Sequence, residues 1–179
     1  GLDDDVVSES NLQRQVLYTE DEIGLSKALQ AQKRLQALNH DIRINAYPTR
    51  LTKENAASLI ANYDIVVDGC DNFATRYIIN DACAHWGRPY VYGAILAFEG
   101  QVSVFNYQGG PDYRTLYPDE EETLAMPAPF KGVLGVTPGV IGCMEANEVM
   151  KIIGGYGEVL SGKLWQIDLR TMESYTIML

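Results

Sequence analysis

A few polar residues in two short stretches carry the chemistry this sequence could do. In the first, Leu2-Asp3-Asp4-Asp5 leads into Ser10-Asn11-Leu12-Gln13-Arg14-Gln15. An apolar residue followed by three aspartates reads as the end of a buried strand, with carboxylates presented at the carboxyl edge of a sheet, where open α/β sheets bind nucleotides. Asp3 is placed to accept hydrogen bonds from ribose hydroxyls, and Asn11, Arg14 and Gln15 form a donor-rich cluster suited to phosphate oxygens. A solvated turn followed by a polar helix start fits the same residues. Lys27 stands in the first turn of a helix, where the macrodipole does not favour a cation, so either a polyphosphate or solvent is its counterpart. The second stretch is Asp68-Gly69-Cys70-Asp71-Asn72. A carboxylate at the carboxyl end of a strand can hold magnesium against phosphates, and the same Asp or its neighbour Asn can instead cap the next helix.

These residues need a frame of strands and helices. Ser26 is a plausible cap for a helix running to Leu38, with Leu25, Leu29, Leu35 and Leu38 as its apolar stripe and Asn39 at its end. A short strand is expected at Ile42 to Tyr47, and a second helix capped by Thr52 runs through Leu59 and Ile60. Tyr63 to Asp68 is a continuous β-branched run of the kind found in a central parallel strand. A helix from Phe73 to Trp86 follows, then strands at 88–94 and 100–107, the latter alternating as in antiparallel or mixed pairing. From Gln108 to Gly132 periodicity is lost, with prolines at 111, 118, 127 and 129 and the acidic run 119–122, which predicts a lid, a crossover or a disordered segment with substrate threaded beneath it. A helix beginning after Pro138 ends at Gly154-Gly155, with its methionines as packing residues, and strands at Lys163–Asp168 and Glu173–Met178 close the chain as a hairpin. The class is α/β: a Rossmann-like, mostly parallel sheet flanked by helices, with a mixed or antiparallel C-terminal portion.

The whole chain narrows the partners. Its 179 residues fit one domain, 1–179, and 46% apolar with 21% charged residues is a globular composition. A formal charge of −10 speaks against nucleic acid and against an anionic membrane surface. The three cysteines, Cys70, Cys83 and Cys143, match neither a zinc ribbon nor a disulfide framework, and the expectation is a reduced, intracellular, cytoplasmic protein whose thiols are buried. The chain opens on Gly1-Leu2 with almost no strand before the aspartates, so an N-terminally incomplete domain is expected.

Ser-Asn-Leu-Gln-Arg-Gln at 10–15, Lys27 within Gly-Leu-Ser-Lys, and Asp-Gly-Cys-Asp-Asn at 68–72 followed by Arg76 together resemble the MoeB/ThiF/HesA family, bacterial relatives of ubiquitin-activating enzymes. The likeness continues through Gly93-Ala94, Glu99-Gly100-Gln101, Tyr113-Arg114, Gly132-Val133 and the segment from Glu145 to Gly155. It implies adenylation, with Mg-ATP, of the C-terminal carboxylate of a small ubiquitin-like sulfur carrier ending in Gly-Gly, with release of pyrophosphate. It implies roles too: Asp3 for ribose, Asn11, Gln15 and Lys27 for phosphates, Arg14 reaching the ATP site of the partner in a homodimer, Asp71 for magnesium with Asn72 beside it. Arg14, Lys27 and Asp71 are then the catalytic residues. The physics is consistent: carboxylate and triphosphate repel, cations neutralise both, and an ionised carboxylate needs no general base.

The departures from the resemblance set further expectations. The family's glycine-rich nucleotide loop would precede Gly1, so this exact chain is expected to bind ATP poorly and to be inactive, which calorimetry would check. Asp112 and Thr115 stand where a Cys-x-x-Cys pair would begin a zinc site, so zinc is not expected. Ala128 or a neighbouring proline stands where some relatives carry a sulfur-transfer cysteine, leaving adenylation without an enzyme-bound thioester. Two other readings compete: a non-catalytic dimeric scaffold of the same fold, and an NAD-binding domain, disfavoured because Arg14, Lys27 and Asp71 suit a polyphosphate with metal better than a dinucleotide.

Overall fold

Residues 1–127 and 132–179 are described in a computed structural model, as two units, Gly1–Leu51 and Thr52–Leu179. Ala128, singled out above for the missing cysteine, lies outside the described residues.

In the first unit, Leu2 bridges Tyr47 in parallel and Val6 bridges Ser26 in antiparallel fashion. Residues 42–46 form no strand; Tyr47 makes that single bridge, with Asp3 N donating to Tyr47 O at 3.2 Å. The short helix α1 (Glu9–Leu12) precedes a 3₁₀ turn at Glu20–Glu22 and the long helix α2 (Lys27–Leu38). Ser26 caps α2 by accepting from Leu29 N at 3.5 Å. Its expected leucine stripe is not what the helix buries: Leu25, Leu29 and Leu38 are exposed, and Lys27 and Ala28 lie inside.

The second unit begins with α3 (Lys53–Ile60), where Thr52 N donates to Asn55 Oδ1 at 2.8 Å in a capping box. Strand β1 (Val66–Val67) is followed by α4 (Phe73–Trp86), β2 (Tyr90–Leu96) and β3 (Glu99–Phe105). Two short helices, α5 (Tyr113–Leu116) and α6 (Glu120–Ala125), interrupt the segment expected to be irregular. Helix α7 (Val136–Gly154), β4 (Lys163–Asp168) and β5 (Glu173–Met178) complete the unit. α7 starts two residues before Pro138, which a first turn tolerates because its amide hydrogens have no helical acceptor. It ends at Gly155, whose φ of 63° suits a residue without Cβ.

The sheet order is β1-β2-β3-β4-β5. Only β1–β2 is parallel; β2–β3, β3–β4 and β4–β5 are antiparallel. The α/β class and the antiparallel C-terminal portion stand, with a larger antiparallel share than expected. Tight connections at Ala97-Phe98 and 169–172 are the reason for β2–β3 and β4–β5, since so short a link can join only antiparallel neighbours. Strand β1, expected to be central, is an edge of this sheet among the described residues. Alternation along β2 sends Tyr90 and Tyr92 to a buried aromatic cluster with Phe105, Tyr77 of α4 and Tyr113 of α5, the Tyr77 and Tyr113 rings meeting edge to face at 5.2 Å. Gly93 faces the other way, under α7, as does Gly100 of β3, against Ile141.

Candidate functional site

Within the first unit, residues 3–7 and 24–27 run side by side: Val7 N donates to Leu25 O at 2.8 Å and Lys27 N to Asp5 O at 3.0 Å. This places Lys27 against the aspartates. Lys27 is 5% exposed and its Nζ donates to Asp5 Oδ2 at 3.0 Å, so solvent is not its counterpart. Asp3 is half-buried; one of its oxygens accepts from Asp5 N at 2.9 Å, fixing the turn. Carboxylate oxygens of Asp3, Asp4 and Asp5 lie within 4.8 Å of one another. Asn11, Arg14 and Gln15 share one turn at the end of α1: Arg14 N and Gln15 N both donate to Asn11 O, at 3.0 and 2.9 Å, and Arg14 Nη1 to Ser10 O at 3.3 Å. Gln15 Oε1 is buried with no partner among the described residues, an acceptor left open beside the arginine.

In the second unit, adjacent residues divide the two roles that the sequence left open. Asn72 caps α4, its Oδ1 accepting from Thr75 N at 2.9 Å. Asp71 is exposed; its one hydrogen bond among the described residues is from Asn72 Nδ2 at 3.3 Å. A carboxylate at the carboxyl end of β1 with lone pairs to spare fits a hard cation that keeps most of its waters.

The sequence reading quoted Asp68 and Arg76 but assigned them no task. They form the buried hub of this unit. Asp68 Oδ2 accepts from Arg76 Nε and from Tyr90 Oη, both at 2.9 Å, and Oδ1 from Cys70 N at 2.8 Å and Cys70 Sγ at 2.9 Å. Arg76 Nη2 donates to Cys70 O at 2.8 Å, and its guanidinium lies over the Tyr92 ring at 5.4 Å. Burial opposes its charge, but Asp68, together with Tyr92, Cys70 and Tyr90, outweighs that and holds the pKa above the usual arginine value. Burial, then the Asp68 charge, push the Cys70 thiol well up, so Cys70 is a structural donor rather than a nucleophile. The signal available was an Asp closing a strand with an Arg one turn inside the following helix. Cys83 is buried as expected, whereas Cys143 is exposed.

Glu145 was also missed. It is 8% exposed, its Oε1 has no partner among the described residues, and burial followed by the nearby Asp68 charge raises its pKa to about 8. Asp112, at the position compared with a zinc ligand, instead caps α5 by accepting from Thr115 N at 3.2 Å.

Strand-end carboxylates ahead of a capped helix, on an α/β sheet, define the class of fold, and the ThiF family matches this chain over residues 2–179; the chain belongs to that family. A sulfur carrier protein adenylyltransferase of Thermus thermophilus is 49% identical over 170 residues, covering 92% of this chain and 63% of that protein. A probable molybdopterin-synthase adenylyltransferase of Pyropia yezoensis is 47% identical, covering 91% and 44%, and the SAMP-activating enzyme E1 of Haloferax volcanii 43%, covering 98% and 65%. The chain thus spans less than two thirds of each of these relatives. In fold it resembles the crystal structure of E. coli MccB with MccA-N7isoASN, at a TM-score of 0.83 and 20% identity over 99% of this chain and 55% of that one. PaaA is similar, at a TM-score of 0.79 and 19% identity, over 99% and 55%. Among the described residues no helix is long and apolar enough to cross a membrane.

Proposed function

We propose that this chain belongs to a cytoplasmic, ATP-dependent adenylyltransferase acting on the C-terminal carboxylate of a small ubiquitin-like sulfur-carrier protein ending in Gly-Gly, or of a peptide. A carboxylate oxygen attacks the α-phosphorus, the bond to pyrophosphate breaks, and an acyl adenylate remains. Asp3 takes the ribose hydroxyls, and Asn11, Gln15 and Lys27 take phosphate oxygens. Asp71, with Asn72 steadying it, holds magnesium, which supplies charge neutralisation for the departing pyrophosphate. Arg14 serves the ATP site of the partner in a homodimer, and residues 108–132 are the crossover segment of one ThiF-type domain, 1–179.

What supports this reading is membership of the ThiF family together with one observation, the exposed carboxylate of Asp71 left free of capping because Asn72 does that work. A second reading, a non-catalytic dimeric scaffold, is favoured by the burial of Lys27 and its existing pair with Asp5. ATP–pyrophosphate exchange with the natural full-length protein and a panel of Gly-Gly-ending carriers separates them. Exchange that depends on one carrier establishes adenylation and names the substrate; no exchange with any carrier from a protein that still dimerises supports the scaffold.

A further inference from the structure

Three elements of the second unit meet at Gly93. Strand β1 ends at Val67, and its ladder on β2 closes with Asp68 N donating to Val91 O at 2.9 Å. Beyond that point Arg76 of α4 takes over the open edge of β2, its Nη2 donating to Gly93 O at 3.4 Å. Helix α7 arrives on the face where Gly93 has no side chain, and the Glu145 carboxyl fills the room a Cβ would take. A guanidinium thus holds the carbonyl of this glycine while a carboxyl lies on its Cα.

The two groups nevertheless do not pair. Arg76 gives Nε to Asp68 at 2.9 Å and Nη2 to Cys70 O at 2.8 Å. Glu145 Oε1 is buried with no partner among the described residues, although the charge of Arg76 is near enough to act on it. An ionised carboxylate with a free oxygen beside a guanidinium would bond to it, whereas a neutral acid has no such pull. Burial and then the Asp68 charge favour the acid and outweigh Arg76, which opposes it. The other ionisable groups around it are engaged or held neutral. From β2 come Tyr90 and Tyr92, phenols whose pKa burial pushes up, and burial does the same to the Cys70 thiol in the turn. From β3, Glu99 is exposed and meets Arg170 at 2.9 Å, and on α7 itself Glu148 pairs with Lys151.

We propose that Glu145 is a positioning residue for adenylation and works as the neutral acid. Protonated, it leaves the guanidinium to Asp68 and Cys70, and the turn from Asp68 to Asn72 stays where Asp71 can serve. Ionised, with its proton lost to solvent, it is a second carboxylate competing with Asp68; Arg76 is drawn off Cys70 O and the turn slackens. The inference rests on the adenylyltransferase reading and on the place of Asp71 in it, and it gives Glu145 no contact with the reacting atoms.

The substitution Glu145→Gln keeps the shape of the neutral acid and cannot ionise. In the full-length protein, ATP–pyrophosphate exchange with the panel of Gly-Gly-ending carriers should run at the same rate in wild type and Glu145→Gln at pH 6.5. At pH 9 the wild type should keep about one-tenth of the variant's rate, because a group with a pKa of about 8 is about one-tenth protonated there. A side chain that merely packs would leave the ratio of the two rates constant, and a constant ratio from pH 6.5 to pH 9 overturns the inference. The second measurement needs no activity. Amide hydrogen exchange of the peptide spanning 68–75 is followed by mass spectrometry, with α3 as the reference for the intrinsic rise of exchange with pH. Protection of 68–75 should fall relative to α3 in the wild type as the pH passes 8, and should hold in Glu145→Gln. Protection that keeps pace with α3 in the wild type overturns the inference, whether or not the variant folds. Loss of protection in a protein that gives no pyrophosphate exchange at any pH overturns the adenylyltransferase reading instead, and supports the coupling of Glu145 to the turn.

Discussion

The carboxyl of Glu145 occupies the space that a side chain at position 93 would need: a Cβ built on Gly93 stands 2.6 Å from Glu145 Oε1 and 2.7 Å from Oε2. The helix can bring an acid onto the sheet only because the strand beneath it carries no side chain there. Among the described residues its Oε1 receives no hydrogen bond in return for its lost hydration, and burial followed by the Asp68 charge favours the protonated acid.

Stability should therefore fall with rising pH through this group. An acid whose folded pKa, about 8, lies above its unfolded value contributes fully below the unfolded value, and its contribution is lost as pH rises through the folded one. Between pH 5 and pH 9 the melting temperature of the wild type should drop relative to Glu145→Gln, by roughly 5 °C at the alkaline end. Parallel melting curves of the two proteins across that range would refute the assignment.

Gly100→Ala should destabilise the second unit by about 1–3 kcal/mol, since its Cβ would fall on the buried side chain of Ile141 between sheet and helix. Urea denaturation measures it, and adding Ile141→Ala should make the Gly100→Ala change far less costly than in the wild type. An unaltered cost in that background would point to the backbone rather than to the packing.

Asp68→Asn leaves Arg76 buried with a weakened partner, and a loss of about 3–5 kcal/mol is expected by chemical denaturation. The paired change Asp68→Leu, Arg76→Met should be milder than either half alone. Equal costs for all three would mean that the charge pair is not what holds this site.

Much of this frame is legible in the residues themselves. Ser26, Thr52 and Asn72 announce helix starts because each has a donor or acceptor at the right offset, and Gly155 marks a stop by its backbone freedom. α5 and α6 escape a periodicity search because four and six residues are too few to display a helical repeat; only their caps, Asp112 and Asp119, give them away. Lys27 reads as a cation seeking phosphate, and its pairing with Asp5 depends on two segments twenty-two residues apart meeting edge to edge. Glu145 lies inside an apolar helix, and nothing local says that the helix turns its acids inward. Cys143 is the converse, a small apolar thiol that sequence places inside and the helix places outside.

At the proposed active centre, Asp71→Ala should reduce ATP–pyrophosphate exchange by at least 100-fold without altering the melting temperature, because the carboxylate is exposed. Asn72→Ala should cost about 1 kcal/mol of stability through the lost cap. If Asp71→Ala keeps normal exchange, magnesium is held elsewhere.

In a homodimer whose arginine acts across the interface, mixing Arg14→Ala with Asp71→Ala chains should restore up to about a quarter of wild-type exchange, since half the dimers are mixed and each has one intact site. Exchange no greater than the sum of the two separate mutants would count against a shared site.

The four donors converging on Asp68 have a consequence for how tightly any ligand could be held. Together with the bond from Arg76 Nη2 to Cys70 O and the cap from Thr75 N on Asn72, they fix the turn from Asp68 to Asn72 before a ligand arrives. The entropy of ordering that turn is thus lost once, during folding, rather than at every encounter. Loosening Asp68 or Arg76 should therefore be felt at Asp71 as a slower, weaker capture, even by a protein that still folds.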